Sequence, residues 1–293
     1  MQFWAAVAWV DPSQLLDVAR ACDEHGYHGI LVSDHVFYPQ KLTSAYPYSP
    51  TGAPLWPSSA PWPDPWVLIG AMAAVTERLR FSTNIYIAPA RHPMVIAKAV
   101  ATAAVLSHDR VALGVGAGWM KEEFDLLGTE FTNRGRRLDE MVEVLRALWR
   151  GGMVEHHGAY YDFDPLEISP VPDKPVPIFA GGHSDAALRR AARLDGWIGN
   201  SYPVDEAFAY VERLQELHAR AGGNEPFDII LGVMALPDAS LCRRLEDAGV
   251  TGLICAPWMT GKPDADAASR LQSIDAKRDA IARFAEHVIA KAG

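Results

Sequence analysis

A closed (β/α)8 TIM barrel is the fold class this sequence predicts, and three observations predict it. Apolar runs of four to eight residues alternate with amphipathic segments at helical spacing, eight of each. The chain has 293 residues at 49% hydrophobic content, enough for one eight-fold barrel. The turn after the first strand, Trp9-Val10-Asp11-Pro12, lacks the GxGxxG fingerprint that an open doubly wound sheet would place there. A single domain over residues 1–293 is expected.

The strands are expected at Phe3–Trp9, Gly29–Val32, Leu79–Tyr86, Arg110–Val115, Val176–Ala180, Gly196–Asn200, Phe227–Met234 and Gly252–Cys255. Helical periodicity falls between them, over Pro12–His25, Pro65–Thr76, Pro93–Ser107, Arg134–Arg150, Ser184–Leu194, Val204–Ala221 and Ala239–Ala248, with a last helix through Ile274–Lys291. Three insertions, after strands 2, 4 and 8, exceed the minimal repeat. Tyr38–Trp66 is rich in proline and carries Trp56, Trp62 and Trp66. A loop of this length acts as a lid or stays disordered, and three exposed indoles would disfavour disorder, so it reads as an ordered lid or a packing loop at a subunit contact. Gly151–Pro175 resembles a small hairpin, and Met259–Ser273 is polar.

The formal charge of -9 and the pI near 5.6 argue against a nucleic-acid surface, and Arg134-Gly135-Arg136-Arg137 is too short a basic cluster to reverse that. Cys22, Cys242 and Cys255 show no CxxC spacing and suit a reducing cytoplasm. The apolar stretch Ala97–Leu106 is too short for a membrane span, and no leader is legible, so a soluble cytoplasmic protein is expected.

Chemistry is sought at strand ends, where barrels keep it. Ser33-Asp34-His35 closes the second strand. A period of two puts Ile30, Val32 and Asp34 on one face and Leu31, Ser33 and His35 on the other, which excludes a Ser-His-Asp nucleophilic set. If the strand frays at Ser33, Asp34 and His35 can both turn toward the barrel mouth, where a histidine can transfer a proton; otherwise Asp34 caps a surface turn. Gly114-Val115-Gly116-Ala117-Gly118-Trp119 has no Lys-Ser/Thr ending and is not a nucleotide P-loop. It is either a tight turn with a core tryptophan or a place where a flat ring nears the backbone at Gly116 and Gly118, with Trp119 as a wall. Gly181-Gly182-His183-Ser184 is either a bare helix start or a phosphate seat made by a Ser184-capped helix. No His-x-His pair ends strand one, as a metal-dependent hydrolase barrel would require, and His156-His157 lies in an insertion, so no metal is expected.

Together these segments resemble the luciferase-like monooxygenase superfamily, and within it the branch using the deazaflavin coenzyme F420. The resemblance spans nearly the whole chain. It rests on Ser33-Asp34-His35, Ile87-Ala88-Pro89-Ala90-Arg91-His92-Pro93 and Leu113-Gly114-Val115-Gly116-Ala117-Gly118-Trp119, continuing through Arg134-Gly135-Arg136-Arg137-Leu138-Asp139-Glu140 and Val176-Pro177-Ile178-Phe179-Ala180-Gly181-Gly182-His183-Ser184. It implies a cofactor ring lying across the strand ends, with Asp34 and His35 beside its head. It implies a non-proline cis peptide behind the ring, falling at about Asn84-Ile85, and a phosphate near Gly181, Gly182 and Ser184, with Ala180 and His183 also taken as cofactor-binding. Sugar-phosphate dehydrogenases of the family carry an acid directly after the glycine run and cations for the substrate phosphate. Here Trp119 stands in place of the acid, and Asn200-Ser201-Tyr202 and Ala256-Pro257-Trp258 offer no cation.

The reaction so implied is F420-dependent hydride transfer to or from a small molecule, with His35 moving the coupled proton and Asp34 orienting the head group. Trp4, Trp9, Trp62, Trp66, Trp119 and Trp258 are candidate wall residues, among which Trp66, Trp119 and Trp258 are taken for the substrate pocket. They predict an apolar or aromatic substrate with a reducible double bond or carbonyl. FMN-dependent monooxygenation and a non-catalytic cofactor-binding barrel are the alternatives. The partners expected are that small molecule and, as is common in the resembled family, a second copy in a homodimer.

Overall fold

The computed structural model describes residues 1–223, 225–259 and 273–292. Strand and helix alternate from the start: β1 (Gln2–Ala6), α1 (Leu15–Glu24), β2 (Gly29–Val32), α2 (Pro65–Ala73), β3 (Arg80–Thr83), α3 (Pro93–Leu106) and β4 (Val111–Val115). Two helices follow, α4 (Lys121–Leu126) and α5 (Arg134–Trp149), then the antiparallel pair β5 (Val154–His157) and β6 (Asp162–Leu166). Alternation resumes with β7 (Ile178–Gly181), α6 (Asp185–Ala191), β8 (Gly196–Tyr202), α7 (Val204–Arg220), β9 (Asp228–Val233), α8 (Ala239–Asp247), β10 (Gly252–Cys255) and α9 (Ile274–Phe284). Among the described residues, the parallel strands close in the order β1-β2-β3-β4-β7-β8-β9-β10, with Gln2 opposite Gly252 at the seam. The protein is a (β/α)8 barrel.

The reason these segments fold so is local. Strands buried on both faces read as continuous apolar runs, and β2, β4 and β7 are buried at every position. Alternation divides their side chains. Ile30 and Val32 pack outward under the helices, whereas Leu31 joins Trp4, Ala112, Phe179, Ile198 and Ile230 in a separate cluster that fills the barrel interior. Trp4 is therefore barrel filling, not cavity wall. Helices begin where capping chemistry directs: Asp64 accepts from the N–H groups of Trp66 and Val67 ahead of Pro65, and Asp238 accepts from that of Leu241.

The structure departs from the sequence expectation mainly at strand ends. β1 stops at Ala6 instead of Trp9, whose φ of 63° turns the chain, and β3 stops at Thr83 instead of Tyr86, where the Asn84-Ile85 peptide is cis. The first helical segment opens with a 3-10 turn over Pro12–Gln14, and the last passes through a π turn at Ala285–Ile289. Helix α4 was not anticipated, since its six residues are too few to show a period. The expected polar insertion Met259–Ser273 lies, apart from its ends, outside the described residues.

At the closed end of the barrel, the His28 ring sits 4.8 Å from that of Trp4. Burial, with Arg80 and the terminal ammonium adding to it, pushes the His28 pKa down from 6.5 to about 4. Between those values the unfolded chain binds the proton and the folded one does not, so stability is whole above pH ~6.5 and falls as pH drops toward about 4. In urea titrations across that window, His28→Gln should flatten the decline; an unchanged pH slope would assign it to other groups.

Candidate active site

The C-terminal strand ends open into a cavity of about 320 Å³. Its floor and walls come from β1, β8 and β10 and the turns after β2, β3, β4 and β7, and its roof from Tyr46, Tyr48, Trp56 and Trp62 of the 38–66 segment. Among the described residues, no lysine or arginine lines it. Its size is at the small end for ligand pockets because two indoles and two phenols fill its mouth.

β2 ends at Val32, and Ser33, Asp34 and His35 follow it along the cavity. The Asp34 carboxylate takes both nitrogens of the Arg91 fork, at 2.7 and 2.8 Å, and the N–H of Ile87 at 2.9 Å. Asp34 is 5% exposed; burial pushes its carboxyl pKa up, against the pull of Arg91. The His35 Nδ1 lies 3.2 Å from both carboxylate oxygens of Glu123, which also accepts the N–H of Val36 at 2.7 Å. Glu123 is fully buried. Three indoles box the imidazole, with ring centroids at 4.8 Å for Trp62, 5.3 Å for Trp56 and 5.7 Å for Trp119. A carboxylate can only accept, so Nδ1 carries the hydrogen of this bond and Nε2 is the nitrogen left to take or return a proton.

Behind the cavity floor the Ile85 side chain is held between two glycines. A Cβ on Gly116 would fall 1.8 Å from Ile85 Cδ1, and one on Gly181 would fall 2.4 Å from Ile85 Cγ2. Ile85 itself lines the cavity, so these glycines let a bulge of backbone and side chain project from the strand-3 turn.

The sequence candidates separate accordingly. Asp34, His35, Asn84, Ile85, Gly118, Trp119 and Gly182 line the cavity. Gly116 and Gly181 lie behind Ile85, and Ala180 is in the core. His183 and Ser184 lie just before α6: Ser184 caps the N–H of Ala187, and His183 packs on Tyr48 with its Nδ1 buried and unpartnered. Two expectations are corrected. Trp66 does not wall the cavity; it belongs to α2, is 6% exposed and packs edge-on against Tyr86. Trp258 also lies elsewhere, in the 3-10 turn after β10, where it faces Ala280 and Phe284 of α9. The sequence reading missed Glu123, Trp56 and the two tyrosines. The one available signal for Glu123 was an acid directly beside Phe124 in a short segment.

A profile of the luciferase-like monooxygenase family matches residues 5–287, and the chain belongs to that family. It is 36% identical over 296 residues to an uncharacterized protein of Mycobacterium tuberculosis (strain ATCC 25618 / H37Rv), covering 99% of this chain and 100% of that protein. It is 37% identical over 194 residues to an F420-dependent glucose-6-phosphate dehydrogenase of Nakamurella multipartita, covering 65% of this chain and 52% of that one. Among solved structures, a monooxygenase from Streptomyces bottropensis superposes with a TM-score of 0.76 at 17% identity over 99% of both chains, a likeness of fold.

The Ile85 wedge makes a prediction that needs no ligand. Gly181→Ala should destabilise by roughly 1–3 kcal/mol through overpacking, and Ile85→Ala in the same chain should recover most of the loss. Additive losses in chemical denaturation would show that the two sites do not share the space.

Proposed function

We propose that this protein is an F420-dependent oxidoreductase that moves a hydride between the deazaflavin and a neutral, apolar or aromatic small molecule bearing a reducible double bond or carbonyl. The observation that carries the reading is His35, oriented by a buried carboxylate inside an aromatic box at the strand ends. The named activity of the Nakamurella relative supports the cofactor class.

The residues present fit such a group. The Ile85 bulge, cleared by Gly116 and Gly181, offers an apolar platform for a flat ring. Gly182, at φ 100°, and the unpartnered His183 Nδ1 beside the Ser184-capped helix start would receive its phosphate. When bound, the deazaflavin supplies a carbon that gives or takes hydride, as nicotinamide does. The chain's own work is then to exclude water with Trp56, Trp62 and Trp119 and to move one proton at His35 Nε2. Glu123 keeps that nitrogen aimed by holding Nδ1. Asp34 acts one step back, fixing the turn from which Ile85 projects. A phosphorylated substrate is disfavoured, because no cation among the described lining residues would meet its charge.

We assign the protein to a reducing cytoplasm, in keeping with three buried free thiols, and to a homodimer. Among the described residues, no helix is long and apolar enough to cross a membrane. Helices α2 and α3 are apolar nearly all round, yet Val67, Val95 and Leu106 along their shared groove are 64–75% exposed. A second copy presenting the same groove would cover them. Sedimentation equilibrium should give a dimer for the native chain and a monomer for Val67→Glu.

Equilibrium titration with F420 and with FMN in parallel tests the cofactor: tight F420 binding with little FMN binding is expected, and a preference for FMN would make the protein a flavin monooxygenase. His35→Ala should lower turnover by ~10²–10⁴-fold while changing F420 affinity only a few-fold. Unchanged turnover would remove His35 from the proton step.

A further inference from the structure

Glu122 and Glu123 are neighbours on α4 with different obligations. Glu123 serves His35 from inside the cavity wall; Glu122 is outside the cavity and half-buried. Its Oε1 accepts from the Thr43 N–H at 2.6 Å, the Thr43 hydroxyl at 2.6 Å and the Ser44 N–H at 3.2 Å, while Oε2 accepts from the Ser44 hydroxyl at 2.7 Å. The Ser44 oxygen accepts in turn from the Lys121 N–H at the start of the same helix. Burial raises the Glu122 pKa, but the bonds from Thr43 and Ser44 outweigh it and bring it to about 2, so the carboxylate stays ionised at any ordinary pH.

What this carboxylate holds leads directly to the site. Two residues beyond Ser44, the Tyr46 ring packs edge-on against Trp56 at 4.9 Å and Trp119 at 5.2 Å, and the Tyr46 N–H closes a tight loop onto the Gly52 carbonyl. Trp56 and Trp62 then rest on His35. A surface acid satisfied by water or its own helix would need none of these partners 78 and 79 residues earlier in the chain.

We propose that Glu122 is a positioning residue that latches the 38–66 segment to α4, and that this latch holds the tryptophan wall over His35. It thereby sets which molecules the cavity admits: latched, the roof is a close aromatic surface suited to flat neutral ligands; released, the indoles leave and the imidazole meets water. Only that statement about ligands rests on the function proposed above. The latch itself is a property of the chain alone.

Trypsin reads the latch without any cofactor, because Lys41 is the sole lysine or arginine between residues 38 and 66 and is exposed beside Thr43. Native-state cleavage reports how often a segment opens. The full chain is digested under native conditions, the 1–41 fragment is followed by mass, and near-UV circular dichroism reports the packed indoles. Glu122→Ala should speed cleavage after Lys41 at least tenfold and diminish the near-UV band with the far-UV spectrum unchanged. Glu122→Gln, which keeps an acceptor oxygen, should do less. Thr43→Val with Ser44→Ala, approaching the latch from the loop side, should reproduce the Glu122→Ala result, and combining all three should add little. That pair also serves if the Glu122 variants fold poorly. Wild-type rates and near-UV band in Glu122→Ala would overturn the latch. Faster cleavage with an intact near-UV band would overturn its hold on the tryptophans. A failed F420 titration would leave both readouts standing.

Discussion

The ion pair between Asp34 and Arg91 is the constraint on which the rest of the site depends. It ties the end of β2 to the turn after β3 through a bidentate fork, and the same carboxylate gathers in the Ile87 N–H. Buried pairs of this kind are poor sources of net stability, but removing one partner costs ~3–5 kcal/mol because the other charge is left stranded. The pair therefore specifies more than it stabilises. With Asp34 held by Arg91, the next residue, His35, is set beside it along the cavity. With Ile87 committed to Asp34, the two residues before it are held over the strand ends, and Ile85 projects between Gly116 and Gly181.

A second set of constraints completes what the ion pair begins. His35 would be free to rotate about its side-chain bonds if only its backbone were fixed, and Glu123 removes that freedom by engaging both Nδ1 and the following N–H, that of Val36. His35 and its holder thus come from a loop and a helix 88 residues apart, which meet because β2 and β4 flank β3 in the barrel. The roof has no strand beneath it and is fastened instead by polar bonds and ring contacts. Rigid barrel below and fastened loop above is the arrangement by which barrels keep their core constant while their chemistry varies.

Much of this architecture was legible in the sequence, for identifiable reasons. The strands of a parallel barrel are continuous apolar runs, so β2 and β10 match their expected bounds. Strict alternation would have kept Asp34 and His35 on opposite faces, but β2 ends at Val32, before Ser33, and both residues line the cavity; what the sequence did not show is that Arg91 takes the Asp34 carboxylate. The rest was hidden because it depends on contacts distant in sequence. Apart from its place beside Phe124, nothing local distinguishes Glu123, which is fully buried, from Glu122, which is half-buried. Trp62 and Trp66 are four residues apart, but Pro65 starts a helix between them, so one indole reaches His35 and the other packs beneath Tyr86. An aromatic residue predicts burial; which side of the barrel buries it is decided by where a helix begins.

The charge distribution bears on how far a relative's activity can be carried over. The chain as a whole has a formal charge of -9, and among its described residues the cavity lining includes one ionised-type side chain, Asp34, already paired to Arg91, beside the titratable His35. A phosphate on the substrate would have to leave water for a cavity with no cation among the described lining residues, under an overall repulsive field. A neutral aromatic ligand faces the opposite balance, since it would pack against four indole and two phenol rings of the lining and brings no charge to desolvate. Membership of the family therefore fits the scaffold and the cofactor class, while the substrate has to be argued from the lining of this cavity. On the proposed reading, His35 is the lining group that exchanges a proton with whatever the tryptophans enclose, since it is the one those indoles box and Glu123 orients.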